Sequence, residues 1–142
     1  MAVELVHLVA TAFMAGVIVF VQFVHYPLMA HIGASGYVEY QSRHGVLTSG
    51  VVGIPMLAEA LAAVWLVATR VEGREVAIIG FGLLVMIWAS TALLQVPAHS
   101  ALRRGFDTQA HRWLVATNWI RTLAWVARIP LAASLVLSSG TA

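Results

Sequence analysis

The chain has 142 residues, of which 61% are hydrophobic and only 10% charged, with a mean hydropathy of +0.88. Soluble domains carry about 25% charged residues, so this composition excludes a water-soluble globule, and the solvent it implies is the lipid bilayer. The pI near 9.7 rests on a formal charge of only +2, and the eight basic residues, all Arg, are scattered. No nucleic-acid partner is expected, because phosphate binding needs a concentrated basic face. With no cysteine, disulfides, thiolate metal sites and iron–sulfur clusters are excluded, and any metal chemistry falls to six His and six carboxylates.

Crossing a hydrocarbon core takes about 20 mostly apolar residues, and four stretches qualify. The first, 3–29, opens with MAVE, has no basic residue ahead of its apolar run and is too long for a signal-peptide core, so it is expected to remain in the mature protein. Pro27 is expected to end it, and the Gly-containing run HIGASGYVEY to form a loop. The second span covers 47–69 and is followed by a short charged turn at 70–75. The third covers 76–96 and ends at Pro97, and the fourth covers 111–138.

With no internal repeat and no long linker, the expectation is a single transmembrane domain over residues 1–142, an all-α, up-down-up-down four-helix bundle. Arg43, Arg103, Arg104 and Arg112 fall on the side of the two longer loops, against Arg70 and Arg74 on the other. By the positive-inside rule this places the longer loops in the cytoplasm and both termini outside; the expected location is a bacterial inner membrane. A homo-oligomer is left open.

Ionisable residues at bilayer depth cost several kcal/mol and mark functional sites by default. Glu59 lies near the middle of the second span, Arg121 near the middle of the fourth, and Arg128 about two turns further on. Asn118, Arg121, Trp125 and Arg128, at offsets of 3, 7 and 10, make one stripe that must face the bundle interior. Glu59 is the natural partner for Arg121 or Arg128. The remaining Arg would then be either helix-packing glue or a cationic anchor for a ligand with an anionic or carbonyl oxygen.

Five of the six His (His25, His31, His44, His99, His111) fall toward the end with the longer loops. His25 follows Gln22 by one turn, and His99 follows Gln95, so the first and third spans each offer an amide and an imidazole at similar depth. His25, His99 and His44 are the candidate ligands should haem or a metal be present, although HExxH and CxxCH signatures are absent. Trp119 and Trp125 flank the Arg stripe and would suit a flat ligand, together with Tyr26. The remaining aromatics fit the interfacial belts of membrane proteins.

The runs VHYP, VPAHSAL and WLVATNWIRT resemble the small four-helix membrane proteins of the anthrone oxygenase-like domain family. The matching positions are Pro27 at the end of the first span, Pro97 with His99 and Leu102 after the third, and Asn118 with Arg121 in the fourth. His99 stands where the family pattern has Asn. The resemblance implies oxygen-dependent, cofactor-free oxidation of a flat polycyclic phenol to a quinone. The size and four-helix plan are also similar to those of the haem-binding membrane protoporphyrinogen oxidase, without its Trp, Tyr and Arg pattern in the first helix.

The resulting functional expectation is a flat hydrophobic small molecule, a quinone or polycyclic phenol, bound between the helices, with oxidation of a bound phenol there as an open option. His25 or His99 would remove a proton, and Arg121 with Asn118 would stabilise the oxyanion. Gln22, Tyr26, Glu59, Gln95, Trp119, Trp125 and Arg128 complete the expected ligand-binding set. Haem binding and a structural or accessory subunit of a membrane complex are the alternatives.

Overall fold

A computed structural model describes residues 1–140. Its four long helices are α1 (Ala2–Met29), α2 (Ala34–Thr69), α3 (Arg74–Leu102) and α4 (Thr108–Ser139), each long and apolar enough to cross a membrane. There is no strand among the described residues. The chain is a small membrane protein built as a four-helix bundle. Helix α1 packs on α2 and α4, and α3 packs on α4 and more lightly on α2, so neighbours in sequence are neighbours in space.

The connections are shorter than the sequence suggests. Residues 30–33, 70–73 and 103–107 suffice, and most of the expected HIGASGYVEY loop belongs to α2. Its single strong breaker is Gly33, which has extended backbone just before the first helical residue, while Tyr37 and Gln41 repeat at helical spacing and are both buried. Neither Pro27 nor Pro97 ends its helix. Each is preceded by a widened π turn, Val21–His25 and Thr91–Gln95, after which the chain stays helical to Met29 and Leu102. Proline lacks an N–H and crowds the carbonyl four residues back; locally opening the helix removes that clash without stopping it.

Two glycines with positive φ make the tight turns: Gly73 (φ 71°) before α3 and Gly105 (φ 142°) before α4. Asp107 caps α4 by accepting the Ala110 N–H at 2.6 Å. At the same end as the 70–73 turn, Arg70 ties three helices together. It donates to Glu4 of α1 (3.1 Å), to the Leu135 carbonyl (2.9 Å) and to Ser139 of α4 (2.8 Å).

The core follows from this packing. Met14, Ala15 and Ile18 of α1 meet Ile87 of α3 and Ala124 and Trp125 of α4 at mid-bundle. Tyr26, Met29, Tyr37, Ala98, Leu102 and Leu114 close the end near residues 30–33. Large apolar side chains such as Val9, Ile54, Leu61, Leu93 and Leu123 point outward, as lipid-facing helices require.

Candidate functional site

Two buried polar clusters lie along α4, one in each half of the bundle. In the half nearer the termini, Glu59 is fully buried and accepts from three side chains: Thr11 of α1 at 2.8 Å, the Trp125 indole N–H at 3.1 Å, and the Arg128 guanidinium, with which it forms an ion pair. Arg128 donates its other terminal nitrogen to His7 Nε2 at 3.0 Å. The pair expected between the second and fourth spans therefore forms with Arg128, and α1 completes it through Thr11 and His7. It leaves almost no free space around Arg128.

The second cluster surrounds a half-open cavity of about 380 Å³ between α1, α2 and α3 that reaches Arg121 on α4. Arg121 donates to Asn118 Oδ1 at 3.2 Å and lies 5.4 Å over the Trp125 ring, its Nε is buried without a partner, and it has no carboxylate partner among the described residues. Asn118 is held in turn: its amide donates to Gln22 Oε1 at 2.8 Å, and Gln22 donates to the Val115 carbonyl at 3.3 Å. The π turn at Val21–His25 carries Gln22 inward, and Tyr26 on the next turn is also buried.

Next to these residues, His99 bridges Tyr26 and Gln41. The Gln41 amide donates to His99 Nδ1 at 2.9 Å, and His99 Nε2 lies 3.1 Å from the Tyr26 hydroxyl. An acceptor at Nδ1 fixes the neutral ring as the tautomer protonated on Nε2, which donates to the Tyr26 oxygen. Arg121 lies beside the same hydroxyl. With the Tyr26 oxygen accepting from both, its own proton is left free to donate. Gln95 donates to Thr117 at 2.8 Å and lines the cavity with an unpartnered Oε1.

Of the other residues expected at the site, His44 lines the cavity and His25 stacks on it with ring centres 4.4 Å apart. Tyr40 holds His25 through its hydroxyl, 3.3 Å from Nε2. The three imidazoles lie ring against ring, and among the described residues no group of three or more His, Asp or Glu is placed to hold a metal ion. Glu59 and Arg128 belong to the closed cluster. Trp125 bridges the two clusters. Trp119 is apart from both: it is exposed on the outer face, edge-on to Phe23 at 5.4 Å.

No family model, curated protein or solved structure matches this chain. The site therefore rests on its own geometry.

The residues that sequence reasoning missed are Gln41, Tyr40 and Thr48 on α2 and Thr11 on α1. Gln41 and Tyr40 fell in the stretch read as a loop. Thr11 carried a readable signal, lying one helical turn from His7 and on the same face as Met14 and Ile18. A larger hollow of about 900 Å³ between the end of α3 and the start of α4 holds none of the expected site residues.

Proposed function

We propose that this membrane protein binds a flat hydrophobic molecule bearing a carbonyl or phenolic oxygen, a quinone or polycyclic phenol, in the cavity beside Arg121. The observation that carries this reading is the contrast in pairing: the cavity contains a largely buried guanidinium without a carboxylate partner, whereas the neighbouring Arg128 is neutralised. A buried cation held by an amide oxygen, the Tyr26 hydroxyl and an aromatic face, with its Nε unpartnered, retains donor capacity that a ligand oxygen would satisfy. Tyr26 lines the same space and its hydroxyl is a second donor available to the ligand oxygen. Thr91, Gln95, Gln41, Thr48 and Ser49, apolar side chains of α1 and α2, and Arg103 supply the remaining walls.

In this reading His99 orients Tyr26, because its Nδ1 lone pair is engaged by Gln41, and His25 lies at the cavity margin. The family resemblance supports extending the function to oxidation of a bound phenol by dioxygen, with Arg121 and Tyr26 holding the phenolic oxygen as it gains negative charge. The distribution of Arg supports an orientation with the 30–33 and 103–107 turns in the cytoplasm of a bacterium.

The test is equilibrium binding of a benzoquinone and of an anthrone to the purified chain, followed by quenching of tryptophan fluorescence. Arg121→Gln should weaken binding by about tenfold or more while leaving the helical circular dichroism unchanged. Loss of folding without any ligand bound by the parent protein would instead support a structural subunit. A Soret band that disappears in His25→Ala would replace this reading with haem binding.

A further inference from the structure

The cavity has an apolar continuation. On the lipid-facing side of α1 and α2 runs a groove of about 620 Å³ walled by Phe13, Gly16, Phe20, Leu47 and Val51. Val17, Val21, His44, Thr48 and Val52 line both the groove and the cavity, so the two hollows adjoin. Their chemistry differs sharply: the cavity presents Arg121, Tyr26 and His99, whereas the groove's polar side chains are His44 and Thr48 at the junction and His25 stacked beside His44. At Gly16 the wall is open, since a Cβ there would meet no atom within 4 Å.

We infer that the ligand is an amphipathic, tailed molecule, a quinone whose flat ring occupies the cavity and whose hydrocarbon chain runs past His44 into the groove between α1 and α2. This rests on the functional reading above and chooses between its two ligand classes. A tailless polycyclic phenol would leave the groove unused. A tailed quinone matches the donors at one end and the hydrocarbon wall at the other, and its chain emerges where the bilayer lies. The same groove gives such a ligand a lateral route from the membrane, with the stacked His25 and His44 rings at the threshold.

The experiment uses the full chain in phosphatidylcholine nanodiscs and two probes: a benzoquinone carrying a decyl chain, and the same ring carrying a methyl group. Comparing variants at fixed lipid concentration cancels partitioning into the bilayer. Gly16→Phe should fill the groove and weaken the decyl quinone about tenfold, the equivalent of losing contact with a few methylenes, while changing the methyl compound by less than about twofold. Val51→Trp, on the opposite wall, should do the same and serves if Gly16→Phe does not fold. An unchanged affinity for the decyl quinone would show that bulk lipid fills the groove and would overturn the inference, as would an equal loss for both probes. If the parent protein binds neither quinone, the functional reading itself fails, and that outcome is distinct from the other two.

Discussion

Arg121 and Arg128 lie on one face of α4, two turns or about 10.5 Å apart, and face opposite electrostatic situations. Arg128 is surrounded by Glu59, Trp125, Thr11 and His7, drawn from three helices, with scarcely any void beside it. Arg121 meets an amide, the Tyr26 hydroxyl, an indole face and a cavity. The same residue type at neighbouring positions serves in one case to close the bundle and in the other to leave it receptive. In a membrane interior an ionised group is costly without partners, and among the described residues no carboxylate pairs with Arg121.

The largest effect should come from the closed half. Glu59→Ala strands Arg128 and should lower stability by about 3–5 kcal/mol in a detergent unfolding titration. The double replacement Glu59→Leu with Arg128→Met should recover most of that loss, because it removes both charges together. A single-variant loss below about 1 kcal/mol would erase the distinction between the two arginines, since the pair would then be no more than surface-like in worth.

At the open half the signs should reverse. Arg121→Met should leave stability unchanged or slightly raised, because it removes an unpaired charge, yet cost about 10–100-fold in quinone affinity, the range of a charged hydrogen bond. A stability loss comparable to that of Glu59→Ala would mean that Arg121 is structural after all. Tyr26→Phe removes a neutral donor and should weaken binding by about two- to tenfold, measured in the same titration. Smallest of all, Trp119→Leu should shift stability by less than about 0.5 kcal/mol and leave binding untouched, because its ring lies on the outer face. A clear change in ligand affinity there would relocate the site toward the lipid side of α4.

Much of this arrangement is legible in the residues. The stripe Asn118, Arg121, Trp125 and Arg128 follows from helical spacing alone, and the requirement that it face inward follows from the cost of exposing it to lipid. Trp119 was readable by the same rule. It sits one residue, about 100°, around the helix from Asn118, which turns it away from the stripe. Gln41 was not readable, because Gly33, Gly36 and a polar run mimic a loop; only packing against α3 shows that α2 begins at Ala34 and brings Gln41 to His99. The π turns were equally hidden, since a proline in sequence announces disruption without saying whether the helix stops or widens.

What the sequence determined by itself is the solvent, the number of spans and the presence of one carboxylate and two guanidiniums at depth. These are composition and periodicity, and they hold for any packing of the helices. Tertiary structure alone decided which arginine receives Glu59, because both share a face and the choice depends on the relative height of α1 and α2. With Thr11, His7 and Glu59 converging at the level of Arg128, Arg121 is left facing the cavity, and the site exists because that convergence happens two turns away from it.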